Sequence, residues 1–144
     1  MTDIAFHVNL ADPVAYACRL LRKASASGAQ VVVVGDPAQL RELDQALWTF
    51  SPHDFVPHAV AGATPAPVLA RTPVVLAPES AAAAHRQVLV NLTPEVPEGF
   101  AGFERLIELV GNAPEALDSA RARWKHYVGA GHAPRKIDQK EVAA

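Results

Sequence analysis

The strand-like run Val31–Val34 leads through the turn Gly35-Asp36-Pro37 into a helical pattern, the local order from which many nucleotide-binding sites are built. The phosphate-binding part is missing. A phosphate loop needs several glycines, a Lys and a Ser or Thr, so that backbone amides can surround the phosphates. Here Ala38 and Gln39 follow the turn, and there is no G-x-G-x-x-G. Asp36 at the start of a helix would repel phosphate and is better explained as an N-cap. The six histidines invite a metal search. His53 and His58 share a proline-containing loop with Asp54, but no Cys or carboxylate pair stands at zinc spacing. Hydrogen-bonded or surface imidazoles account for them, and His85, His126 and His132 read as isolated surface residues. Ser51, Ser80 and Ser119 lack a nucleophile elbow. The carboxylate pairs Glu42 with Asp44 and Glu95 with Glu98 fall on helix faces or loops, where solvated charge is the simpler account. No catalytic residue, metal or cofactor is expected.

The last helical segment, Pro114–Val128, is different. At about 100° per residue, Ala113, Ala116, Leu117, Ala120, Trp124, Tyr127 and Val128 form one apolar stripe. Arg121 and Lys125 lie on one edge of it, flanking Trp124, and Arg123 lies on the opposite edge. Two accounts compete. Basic side chains commonly snorkel at the border of a core helix, and near its C-terminus they complement the helix dipole. Alternatively, the residues form a pocket with an apolar floor and a cationic rim, suited to an acidic, aromatic peptide with a free terminal carboxylate.

A second unusual segment is LDQALWTFSPHDFVPH, Leu43–His58. Leu40, Leu43 and Leu47 recur at helical spacing. Trp48, Phe50 and Phe55 then arrive where a helix should hand over to a polar loop, among Pro52 and Pro57. Large apolar side chains on such a loop need a cover, from the core or from a partner.

The elements that must position these residues are legible in part. Ile4–Leu10 alternates as a first strand, and Asp12-Pro13 starts a helix that ends at Gly28. Val31–Val34 is a β-branched run expected of a strand buried on both faces, and the second helix ends near Trp48. This strand–helix–strand–helix order predicts an α/β fold with a mainly parallel central sheet flanked by helices. Val74–Leu76 and Val88–Leu92 read as strands, separated by an alanine-rich connector, Glu79–His85. Phe100–Val110 reads as a helical turn followed by a strand ending in Ile107–Val110. The region between Ser51 and Pro78 is rich in proline and reads mostly as loop. Residues 132–144 turn polar and read as a flexible C-terminal tail after a domain at residues 1–131.

Composition sets the outer limits. The chain has 144 residues, 50% of them hydrophobic, with a net charge of −2 and one cysteine, Cys18. That suits one globular domain with a buried, inert thiol and gives no global basic field for nucleic acid. No apolar run approaches the roughly 20 residues that span a bilayer. A cytoplasmic, reducing location is the expectation.

The segments LDQALWTFSPHDFVPHAVAG (Leu43–Gly62) and ARARWKHYVGAG (Ala120–Gly131), with RQVLVNLT between them, resemble the chi subunit of bacterial DNA polymerase III holoenzyme. The resemblance runs over roughly residues 4 to 131. It implies a single Rossmann-like, three-layer α/β domain that uses no nucleotide. It implies a non-catalytic accessory subunit with two protein contacts. One is the acidic C-terminal tail of single-stranded DNA-binding protein, whose contacts match Val110, Arg121, Trp124 and Lys125 here. The other is the psi subunit of the clamp loader, whose aromatic contacts match Trp48 and Phe55. The family often carries Tyr at the place of Trp124, and it can carry a basic residue at the place of Leu117. The alternative is a small Rossmann-like nucleotide-binding enzyme, which rests on the strand–turn–helix start alone. Neither a membrane nor strong direct nucleic-acid binding is expected.

Overall fold

The computed structural model describes residues 2–49 and 56–139. The strands are β1 (Asp3–Leu10), β2 (Val31–Val34), β3 (His58–Val60), β4 (Val74–Ala77), β5 (Val88–Asn91), β6 (Arg105–Gly111) and β7 (Arg135–Asp138). The α-helices are α1 (Pro13–Ala26), α2 (Pro37–Thr49), α3 (Ala66–Arg71) and α4 (Pro114–Gly129), with short 3-10 turns at Ser80–Ala82 and Phe100–Gly102. The strands form one seven-stranded sheet in the order β3-β4-β2-β5-β6-β1-β7. Every pairing is parallel, so the sheet is wholly rather than mainly so.

Alternation along the strands builds two cores. Val31 and Val33 of β2 pack with Cys18 and Leu21 of α1 and with Leu40, Leu43 and Leu47 of α2. Val32 and Val34 point the other way, into a core with Phe6, Leu106, Ala120 and Tyr127. Helices therefore cover both faces, which is why the central strands are continuous apolar runs. Burial also raises the pKa of the Cys18 thiol. The connections through α1 and α2 carry the chain toward the β3 edge over one face. Those through α3 and α4 bring it back toward the β7 edge over the other. Opposite directions on opposite faces give a single crossover hand.

The two Asp-Pro starts behave as caps. Asp12 Oδ1 accepts from the Ala15 amide at 3.2 Å. Asp36 Oδ1 accepts from the Gln39 amide at 2.8 Å, while Gln39 Oε1 accepts from the Asp36 amide at 3.0 Å. This reciprocal capping box closes the N-terminus of α2 with the protein's own carboxylate. A phosphate at this turn would meet that charge and a Gln39 amide already engaged.

Three elements depart from the sequence expectation. The proline-rich middle contains β3 and α3, which are three and six residues long. Both are too short to show a period. The third is β7. Residues Arg135–Asp138, expected in a loose tail, pair in parallel with β1 as an edge strand. Phe50 and residues 51–55, which include Phe55, lie outside the described residues.

Replacing Asp36 with Ala should cost about 1 kcal/mol of stability through loss of the cap. Urea denaturation measures it, and the expected mark is a lower midpoint with an unchanged slope.

Candidate functional site

Helix α4 packs on the sheet through Ala120, Arg123 and Tyr127, which are buried, and through half-buried Leu117 and Trp124. Two members of the sequence-derived stripe do not follow it: Ala113 is exposed, and Val128 is 52% exposed beyond the last contact with the sheet. Arg123, placed by the helical wheel on an edge of the stripe, is instead turned into the core at 4% exposure.

Its counter-charge is Glu108 on β6, which is fully buried. Arg123 Nε lies 3.1 Å from Glu108 Oε1, an ion pair whose N–H is not aimed along the contact. Asn91 Nδ2 donates to the same oxygen at 2.9 Å, and Tyr127 Oη donates to Oε2 at 2.5 Å. The guanidinium also donates to Pro94 O at 2.9 Å and Ser119 Oγ at 3.1 Å. Burial pushes the Glu108 carboxyl up to about 6, against the pull of Arg123, Tyr127 and Asn91. Burial and the facing carboxylate also raise the Tyr127 phenol. The network joins β5, β6 and α4 and sets where α4 sits.

Seated there, α4 forms one wall of a groove of about 440 Å³ along the β1–β7 edge. Val110, Arg121, Trp124 and Lys125, the residues singled out in the last helix and its preceding strand, all line it. Val110 is 2% exposed and belongs to the floor with Phe6 and Ala120. The Trp124 ring leans on Phe6 at 5.1 Å between centroids, and Phe6 meets Tyr127 edge-on at 5.9 Å. Arg121 and Lys125 are exposed on the rim. Arg121 Nη1 lies 3.1 Å from Asp118 Oδ1, one turn earlier. Both groups are more than two-thirds exposed, so this pair holds the guanidinium only weakly.

The second wall was not legible in the sequence. It consists of Val8 and Asn9 from β1 and Lys136 and Asp138 from β7. In the parallel register Phe6 stands beside Lys136, and Val8 beside Asp138. Partners in register share a face, so both β7 side chains turn toward α4. Two clasps hold β7. Arg135 Nη2 donates to Asp3 Oδ1 and Oδ2 at 3.1 Å, and Asn9 Nδ2 donates to Asp138 Oδ1 at 2.6 Å. Asn9 has φ 63°, and the β1–β6 register shifts between His7 and Leu10. Asn is among the residues that tolerate this left-handed conformation.

The aromatic segment forms a separate surface. Trp48, in the last turn of α2, is 58% exposed. Its ring lies 5.2 Å from that of His58 on β3. The His58 side chain is buried, with Nε2 2.9 Å from Asp44 Oδ1 and Nδ1 2.7 Å from Val56 O. These contacts tie β3 to α2 beneath the indole. Phe55 lies outside the described residues. Among the remaining histidines, His126 is exposed as expected, whereas His85 and His132 are half-buried. Among the described residues, no group of three or more His, Cys, Asp or Glu is placed to hold a metal. No helix among them is long and apolar enough to cross a membrane.

The site and fold define an α/β protein with an open apolar groove rimmed by cations and a capped helix where a phosphate loop would lie. Residues 1–135 match the family described as DNA polymerase III chi subunit, HolC, and the chain belongs to that family, as an accessory subunit of a replicative polymerase. The DNA polymerase III subunit chi of Pseudomonas aeruginosa is 38% identical over 137 residues, covering 92% of this chain and 93% of that one. The chi subunit of Haemophilus influenzae is 32% identical, covering 76% and 75%. That of Escherichia coli is 29% identical, covering 79% and 77%. Among solved structures, the C-terminal domain of the DEAD-box protein Dbp5 superposes with a TM-score of 0.63 at 11% identity, covering 97% of this chain and 91% of that one. A Dbp5 C-terminal domain from S. cerevisiae bound to Gle1 and IP6 gives a TM-score of 0.64 at 10% identity, covering 99% and 94%. At these identities the likeness is one of fold alone.

Glu108 makes stability depend on pH with a definite sign. Its folded value, about 6, lies above the ordinary 4.5, so its contribution is fully present below pH 4.5 and is lost as pH rises through 6. The loss is about 2 kcal/mol. Tyr127→Phe removes a donor that holds the carboxyl down, so its folded value rises further and the loss grows and extends to higher pH. The stability gap between wild type and Tyr127→Phe should therefore widen between pH 5 and pH 7, measured by urea denaturation at each pH. A constant gap would show that the phenol does not act on Glu108.

Proposed function

We propose that this chain is a binding adaptor of the replication machinery that captures the acidic C-terminal tail of single-stranded DNA-binding protein in the groove between α4 and β7. The convergence of Val110, Arg121, Trp124 and Lys125 on one open groove carries this reading. A tail ending in an aromatic residue and a free carboxylate has the matching chemistry. Its terminal ring enters the floor made by Phe6, Val110 and Trp124, and its carboxylates meet Arg121 and Lys125. Among the described residues no side chain fills the groove, and Arg121 and Lys125 are exposed along its lining. That favours a binding site over basic residues merely bordering a core helix.

The second contact of the adaptor is with the psi subunit, through the surface around Trp48, with Phe55 as a further contact. An indole 58% exposed at a helix end has the character of an interface anchor. Trp48 lies by the β3 edge on the α2 face, whereas the groove lies at the β7 edge on the α4 face. Strands about 4.8 Å apart put those edges roughly 29 Å from each other. The two partners can therefore bind together, and the adaptor bridges the clamp loader and coated single-stranded template. It acts in the cytoplasm, without a cofactor. The nucleotide-binding alternative loses its footing at Asp36, whose capping box occupies the turn it requires.

Arg121→Ala should weaken binding of a labelled acidic peptide ending in Phe by about 1 kcal/mol. The value is that of an exposed ion pair, because the guanidinium is exposed. Fluorescence anisotropy at low salt reads the change, and an unaltered affinity would remove the groove from consideration. Trp48→Ala should leave peptide binding and the circular dichroism spectrum unchanged while abolishing co-purification with a psi subunit. Retained co-purification would place that contact elsewhere.

A further inference from the structure

The basic rim on α4 is one-sided. Arg121 and Lys125 stand on the same helix edge, and Leu117 contributes apolar surface one turn earlier. A peptide held only from that side could pivot out across the floor. The opposite wall carries a cation of its own. Lys136 lines the groove from β7, in register with floor residue Phe6. It is exposed, and among the described residues neither it nor Lys125 forms an ion pair. With no ion-pair partner among the described residues, its ammonium, at the lining of an apolar groove, is available to an incoming carboxylate.

Its position is specified by the fold. The strand period turns Lys136 and Asp138 to the groove and sends Arg135 and Ile137 to the other face. The clasps Arg135–Asp3 and Asp138–Asn9 act at the two ends of β7 and hold that register. The Asp138 carboxylate, engaged by Asn9, lies two residues beyond Lys136, about 7 Å along the strand. The wall is therefore cationic at Lys136 and anionic beyond it.

We infer that Lys136 is a further ligand-contacting residue of this groove, so that the carboxylates of an acidic peptide are held from both walls, by Arg121 and Lys125 on α4 and by Lys136 on β7. The inference rests on the reading of the groove as an acidic-peptide site. β7 is thereby a functional element of that site.

The test is anisotropy titration of the full chain with a labelled acidic peptide that ends in Phe and a free carboxylate, at low salt. Lys136→Ala should weaken binding about threefold, as expected of one exposed charge contact. Lys136→Glu should weaken it about tenfold or more, because like charge is then placed against the ligand. Lys136→Arg should bind within about twofold of wild type, which a purely electrostatic contact permits. Thermal melting of each variant should match wild type, since the side chain is exposed. If Lys136→Ala and Lys136→Glu bind like wild type while Arg121→Ala is weakened, the role of Lys136 is overturned and the groove reading stands. If Arg121→Ala is unaffected as well, the groove reading itself fails.

Discussion

The seating of α4 on the sheet rests on one buried charge pair. Glu108 and Arg123 are both removed from water, and desolvation costs each ion several kcal/mol. The return comes from mutual attraction and from the hydrogen bonds around the carboxylate. Asn91 and Arg123 engage one carboxylate oxygen, Tyr127 engages the other, and Pro94 O and Ser119 Oγ accept from Nη1 of the guanidinium. Such a pair adds little net stability, but its geometry admits few positions for the helix. Apolar surfaces alone would let α4 slide by a fraction of a turn. A slide of that size would carry Arg121, Trp124 and Lys125 away from Phe6 and Val110, and the groove would lose its floor. The interior charge thus fixes the geometry of the groove.

The same helix serves two faces through the mismatch between its period and its sequence. Ala120, Arg123 and Tyr127 point inward, and the adjacent positions Arg121, Trp124 and Lys125 follow the groove. Trp124 belongs partly to both, since its ring rests on Phe6 while its outer side faces the groove. Removing the indole would therefore disturb the core packing and the groove wall together, whereas the rim cations can be altered with less effect on the core. The wholly parallel sheet extends this separation. Its crossovers leave the α4 groove and the Trp48 surface on opposite edges and opposite faces, so changes at one have no shared partner with the other.

Local chemistry was legible in the sequence where it is decided locally. The Asp-Pro starts of α1 and α2, the β-branched run Val31–Val34 and the helix beginning at Pro114 all depend on neighbours in the chain, and each is present. Arg121, Trp124 and Lys125 could be grouped because they neighbour one another on the last helix, whereas Val110 joined them only through the family resemblance. What depends on distant partners was not readable. Arg123 has the spacing of a border residue, and only Glu108, on another element, draws it inside. Residues 135–138 have a polar, tail-like composition because an edge strand needs only one paired side. β3 and α3 are shorter than any period that would reveal them.

The edge strand joins two requirements that look unrelated. A free β edge invites pairing with another chain, and charged residues on it are the usual defence. Arg135, Lys136 and Asp138 provide that defence on β7. Their alternation also divides them between faces, so Arg135 is used to clasp Asp3 while Lys136 and Asp138 line the groove. The family match ends at residue 135, where this strand begins. The α4 wall thus falls within the matched span, whereas most of the β7 wall falls beyond it. Charge on an edge strand can change with little effect on the core, because its side chains are exposed or half-buried. The β7 wall is therefore the part of the groove whose charge is least constrained by the fold.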